Sequence, residues 1–254
     1  MIIELKIKGK VVRVDLACPV PISLPLHSGE QNPKAWYLNH QLPKISPVVH
    51  GDWVGAVSKG ASVNFNTLSF NPHAHGTHTE CVGHIDPKCT SLQECLTTYF
   101  FKALVVTITP EQRGSDKVIS KKLLKIHHKK LKSCDALIVR TLPNLSSKKQ
   151  KNYDHSNWAY FTSKATKYLN TLGIFHLLVD LPSVDKEKDQ GQLKAHKSFW
   201  GYPNNIRKHA TITEFIYVPN TVSDGFYLLN LMVTAIENDA SPSKPCIYSL
   251  QSNV

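Results

Sequence analysis

The chain has 254 residues, 41% hydrophobic and 19% charged, with a net charge of +11. That length can bury a core, and that composition excludes a disordered or fibrous chain. It holds no run of about 18 apolar residues, which excludes an apolar membrane-spanning helix.

The N-terminus alternates apolar and charged residues from Ile2 to Lys8, the pattern of a strand and not of a secretory signal. The expectation is a soluble, cytoplasmic protein with one domain over residues 1–254. Six scattered cysteines without a CxxC pair suit reduced thiols in that setting.

Residues 2–16 read as a strand or hairpin, and Pro19, Pro21 and Pro25 then impose an irregular stretch. Residues 26–50 carry little periodicity and read as an excursion shaped like a lid. From 62 to 70 an alternating run predicts a strand that leads directly into a histidine cluster. Ser91 with Glu94 three residues on is a capping box for a short helix. Residues 103–109 form a β-branched strand closed by Pro110. Next, Ile119, Leu123, Leu124, Ile126 and Leu131 predict one amphipathic helix over 118–132, with its lysines on the solvated side. A second buried strand covers 136–141, a helix 163–172 closes at Gly173, and a third strand covers 175–180. Strand-like segments return at 211–217 and 225–235. This grammar predicts an α/β domain with a mixed, partly parallel sheet flanked by helices.

Most of the excess charge lies in two lysine runs, 117–132 and the polar loop holding Lys148, Lys149 and Lys151. No RNP-type aromatic motif, zinc-finger spacing or helix-turn-helix accompanies them. A solvated basic surface is the simpler reading, and no specific nucleic-acid partner and no membrane partner are expected.

The chemistry concentrates between His73 and His84, where His73, His75, His78, Glu80 and His84 fall within twelve residues. A divalent metal that activates water needs three or four N or O ligands and an open position. His78 and Glu80 are two apart and share a face of extended chain. His84 would lie about 20 Å from His78 on a straight strand, so it joins them only if the chain bends near Gly83. His73 and His75 have the opposite parity to His78, with Gly76 placed to reset the phase. Cys81 faces away and reads as packing. His127 and His128 read as solvated and His176 as a core histidine. Trp53, Tyr37 and Phe199 are possible pocket aromatics.

At these residues the chain resembles the cyclase-like metal hydrolases, the family that includes bacterial kynurenine formamidase and isatin hydrolase. The family signature His-x-Gly-Thr-His-x-Asp-x-Pro-x-His is matched in phase by Gly76, Thr77, His78, Glu80 and His84, with Glu80 for Asp and Val82 for Pro. The likeness extends to the segment from Asp15 to Pro19, to Leu137–Thr141, to the run from Asp180 to Asp185, to His196 and Glu214, and to the segment from Asp239 to Lys244. The resemblance implies a swivelling β/β/α fold and one or two divalent ions, zinc or manganese. It implies His78 as a metal ligand and Glu80 as a bridging carboxylate, with His196 and Glu214 completing a second position and His84 transferring protons. The family's first histidine falls on Ala74, so an extra loop residue would bring in His73, favoured over His75.

That family implies hydrolysis of a small amide by metal-activated water, an arylformamide such as N-formylkynurenine first, and a homodimer or homotetramer. Cyclic amides or lactones are the alternative substrates, and an inactive metal-binding member is a third reading.

Overall fold

The computed structural model describes residues 1–7, 9–35, 42–88 and 91–252. The strand Ala136–Thr141, apolar from Ala136 to Val139, lies at the centre of a nine-stranded sheet with every residue buried. A strand covered on both faces needs an unbroken apolar sequence, and its two neighbours run parallel to it for that reason. In chain order the strands of this sheet are β1 (Val20–Pro21), β2 (His78–Glu80), β3 (Phe100–Ile108), β4 (Ala136–Thr141), β5 (His176–Val179), β6 (Thr211–Glu214), β7 (Gly225–Asn230), β8 (Ala240–Pro242) and β9 (Cys246–Ser249). Across the sheet they lie in the order β8-β2-β6-β5-β4-β3-β7-β9-β1. The four central strands, β6, β5, β4 and β3, are parallel, and every outer pairing is antiparallel. The mixed, partly parallel α/β architecture expected from the strand–helix grammar is the one observed.

Five short helices accompany the sheet: α1 (Leu92–Cys95), α2 (Lys121–Lys125), α3 (His128–Leu131), α4 (Ser163–Thr171) and α5 (Lys194–Trp200). The Ser91 hydroxyl caps α1 by accepting the Gln93 N–H. Thr162 caps α4 by accepting from Ala165, and Gly173, with φ +79°, follows its end. Leu124, Leu131, Ala165, Leu169, Phe199 and Trp200 carry the helices into the one large core.

The single helix expected over 118–132 is corrected. Val118 and Ile119 pair in parallel with Tyr160 and Phe161 as the end of a strand, and the remainder breaks at Ile126 into α2 and α3. Ile126, assigned to the buried face by periodicity, is 75% exposed. The long-range strand pairing takes up the first turn and leaves too few residues for the periodic face to settle on the core. His128 is likewise more than solvated, because its Nδ1 meets the Tyr168 hydroxyl at 2.6 Å.

Lys148 departs from the basic-loop reading too. Its ammonium donates to the Thr141 carbonyl (2.7 Å), the Thr141 hydroxyl (2.9 Å) and the buried Asp180 carboxylate (2.7 Å). The strand expected over 62–70 is shorter, Asn66–Ser69, and pairs with Lys44–Pro47 in a hairpin. Phe199 is a core residue and Trp53 stands 42% exposed on a second small hairpin, so neither lines the histidine cluster. Tyr37 lies outside the described residues.

Candidate metal centre

Strand β2 carries the cluster because it is enclosed on both sides. Glu214 of β6 sits opposite His78, and Ala240 of β8 opposite Glu80. Cross-strand partners share a face, so His78, Glu80 and Glu214 project together. Gly76, with φ +72°, turns the preceding loop back so that His73 faces Glu80. After β2 the chain enters a 3-10 turn, Val82–His84, which folds His84 back over the strand. The bend expected near Gly83 is this turn, and it starts one residue earlier, at the Val82 that replaces the signature proline.

The side chains converge around Glu80. Its Oε2 lies 3.2 Å from His73 Nδ1 and 3.9 Å from His84 Nδ1, and its Oε1 lies 3.0 Å from His196 Nε2. His78 Nε2 is 3.5 Å from Glu214 Oε2, and His196 Nε2 is 3.9 Å from Glu214 Oε1. All five residues proposed from sequence as ligands therefore meet in one place, with His84 beside them. His75 is turned away, and its Nδ1 accepts the Asn71 N–H. Three overlapping triads have ligand atoms within 4.8 Å of one another: His73, His78 and Glu80; Glu80, His84 and His196; and His73, His84 and Asp239.

His78 supplies the test of whether a cation fits. Its ring is fully buried, and Nδ1 lies 3.1 Å from the Gly76 carbonyl, an oxygen that can only accept. The proton therefore sits on Nδ1 and leaves a lone pair on Nε2. That Nε2 is buried without a hydrogen-bond partner and faces a carboxylate oxygen. A buried acceptor aimed at another acceptor is unfavourable unless a cation lies between them, so the donor set suits a hard or borderline divalent metal.

Two carboxylates missing from the sequence-derived set hold the histidines from behind. Asp185 Oδ2 accepts from His196 Nδ1 at 2.7 Å, and the same carboxylate caps α5 by accepting the Ala195 and His196 N–H groups. Asp239 Oδ2 lies 2.8 Å from His73 Nε2 and 3.4 Å from His84 Nδ1. Such outer carboxylates fix ring orientation and raise ligand basicity. Burial opposes the charged form of His73, but Asp239 and Glu80 outweigh it and push its pKa up to about 10. Burial would likewise raise Glu80, yet the charges of His84 and His196 and the bonds from His196 and His73 hold it well below the usual carboxylate range.

The backbone around the ligands is also tied. Phe215, directly after Glu214, is buried with φ +55°, a left-handed conformation costly for an aromatic residue. The Thr77 hydroxyl donates to the Phe215 carbonyl at 2.6 Å and accepts the Leu24 N–H at 2.8 Å. The neighbours of His78 and Glu214 are thus clamped to each other. Two clefts meet at His73: one of about 480 Å³ reaching Glu80, His84, Ser183, His196 and Glu214, and one of about 750 Å³ along Lys44, Asn71, His75 and Asp239.

A family model for the cyclases matches residues 14–186, about two thirds of the chain, a span that includes the whole cluster from His73 to His84. The chain belongs to the cyclase family. No curated protein sequence matches it at a significant level. Among solved structures, this cyclase resembles a potential metal-dependent hydrolase with cyclase activity, at 15% identity and a TM-score of 0.65 over 91% of this chain and 97% of the other. It resembles a predicted metal-dependent hydrolase from Bacillus stearothermophilus at 15% identity and a TM-score of 0.60, over 91% and 98% of the two chains. It also resembles isatin hydrolase A from Labrenzia aggregata, bound to benzyl benzoate, at 12% identity and a TM-score of 0.65, over 93% and 94%. At those identities the likeness is one of fold. His196, Glu214 and Asp239 lie beyond the matched residues of the family model, and the geometry joins them to the cluster.

Proposed function

We propose that this cyclase is a metal-dependent hydrolase of small amides, with an arylformamide such as N-formylkynurenine as the leading substrate. The observation that carries the reading is His78 Nε2, buried, unpartnered and aimed at Glu214, beside His73, Glu80 and His196. His73, His78 and Glu80 would hold one ion, and Glu80, His196 and Glu214 a second, with zinc and manganese both suited to this donor set. When bound, the metal lowers the pKa of water toward about 7 and polarises a carbonyl oxygen.

The chain's own residues do the rest. Glu214 is aimed by the Val184 N–H, which its Oε1 accepts at 2.9 Å, and His196 is aimed by Asp185. Asp239 and Glu80 hold the Nδ1 side of His84, which leaves Nε2 to pass a proton to the leaving nitrogen. His84 is the most exposed histidine of the group, with 29% of its side chain open, as a residue that meets substrate requires.

Cyclic amides form a second reading, favoured by the isatin hydrolases among the structural neighbours, since isatin is itself a cyclic amide. The test is a hydrolysis panel on metal-loaded protein with N-formylkynurenine, isatin and simple lactones, followed by absorbance. His84→Ala should lower kcat on the preferred substrate by about 10²–10⁴-fold. Absence of turnover on all three classes would overturn the enzymatic reading and leave a metal-binding protein.

We further propose a homodimer or homotetramer, supported by the apolar surface of the two hairpins between 44 and 70. Val49, Phe65 and Leu68 there are each more than half exposed. Light scattering checks it: a monomer at micromolar concentration removes the proposal.

A further inference from the structure

Two segments carry much of the net positive charge of this protein. Residues 117–134 hold seven lysines and residues 155–179 two more, nine in all, and neither segment contains a carboxylate or an arginine. Against a net charge of +11, the remainder of the chain is within two charges of neutral. All nine lysines are exposed. The three basic helices meet at Tyr168 of α4: Lys121 of α2 lies over its ring at 5.2 Å, and His128 of α3 meets its hydroxyl. Lys164 and Lys167 are three apart on α4 and share a side. Of the bordering carboxylates, Glu111 pairs with Arg113, Asp116 with Lys186 and Asp224 with Arg140, while the exposed Asp135 accepts the Lys102 backbone N–H.

One apolar residue stands within this field. Ile126, at the break between α2 and α3, is 75% exposed and flanked by Lys125 and Lys129. The same helices bury Leu124 and Leu131, so Ile126 is the apolar side chain they leave open among the lysines.

Against the expectation from sequence of no membrane partner, we infer that this face docks on the surface of an anionic lipid bilayer, with Ile126 entering the headgroup region and the lysines on the phosphates around it. Diffuse negative charge suits the point charges of lysine, and shallow apolar insertion beside a basic patch is how peripheral proteins gain hold. Nucleic acid fits the same charge less well. The face has no arginine to fork onto phosphates, and Tyr168, the one Phe, Tyr or Trp on the three helices, is buried and has no open ring for bases to stack on. Among the described residues no helix is long and apolar enough to cross a membrane. The inference is independent of the metal centre.

The experiment is co-sedimentation of the full chain with vesicles of phosphatidylcholine alone or with about 30% phosphatidylserine, at roughly 0.05 and 0.15 M salt. The expected result is binding to the anionic vesicles only, weakening as salt rises. Replacing Lys122, Lys125 and Lys129 together by glutamine should reduce it by about a hundredfold, at roughly fivefold per lysine. Ile126→Ser keeps every charge and should weaken binding severalfold with an unchanged salt dependence. All four positions are solvent-exposed, and thermal melting confirms that the variants fold. Failure to bind anionic vesicles, or full binding by Ile126→Ser, overturns the inference. So does a single-stranded RNA that binds the same lysines more tightly than the vesicles.

Discussion

Asparagine at position 239 keeps the shape of Asp239 and removes its charge from the back of His73 and His84. Two consequences of opposite sign follow for metal binding. Without the carboxylate, the ring loses the charged acceptor 2.8 Å from Nε2 that orients it and raises its basicity. Losses of this kind cost about 10–100-fold in metal affinity, or roughly 1.4–2.7 kcal/mol. The same change also releases the proton that competes with the metal. In the wild type, Asp239 and Glu80 push the His73 pKa up to about 10, so at every lower pH a cation must displace that proton. With Glu80 alone the pKa falls back, and the competition ends at lower pH. The affinity deficit of Asp239→Asn should therefore be larger near pH 9, where the wild-type proton competes less, than near pH 6.5. Competition against a chromophoric zinc chelator at the two pH values reads it directly. An equal deficit at both, or none at either in a folded variant, would refute the reasoning.

In the wild type, metal affinity should rise steadily from pH 6.5 to 9, because His73 and the buried His196, also raised well above its ordinary value, must shed protons; chelator competition across that range is the check. Asp185→Ala should lower metal affinity through His196 and also destabilise the fold by about 1 kcal/mol through the lost α5 cap, measured by denaturant titration. Lys148→Met strips the buried Asp180 of its cation and should cost about 3–5 kcal/mol, most of it recovered in the double variant with Asp180→Asn. His176 is buried and held near a pKa of about 3 by desolvation and by Arg207, against about 6.5 unfolded. It is neutral in the fold while the unfolded chain takes up a proton, so its contribution is complete above about pH 6.5 and is lost as pH falls toward 3. The slope is at most about 1.4 kcal/mol per pH unit, and His176→Asn should flatten it in acid titrations followed by circular dichroism.

The central strands were legible because a strand buried on both faces needs a continuous apolar run, which Ala136 to Val139 supplies. Parity alone placed His78 with Glu80, and the need for a bend before His84 followed from the rise per residue. What was hidden depends on distant partners. Val118 and Ile119 carry a helical pattern, yet their edge pairs with Tyr160 and Phe161 some 42 residues away. Asp239 lies 166 residues from His73 and reaches it because β8 runs beside β2, a neighbour relation no local pattern encodes. The lysine-rich loop concealed Lys148 for the same reason, since its partner Asp180 lies 32 residues on.

The pairing of His78 with Glu214 across β2 and β6 divides the site by its tolerance of insertions and deletions. A one-residue slip in either strand would send Glu214 or His78 to the opposite face of the sheet, so neither segment can change length and keep the centre. The loop from Asn71 to Gly76 is under no such constraint: it can lengthen by a residue so long as some histidine still reaches Glu80 and Asp239. A histidine one position from the family's first, as His73 is, falls where the chain can absorb the shift.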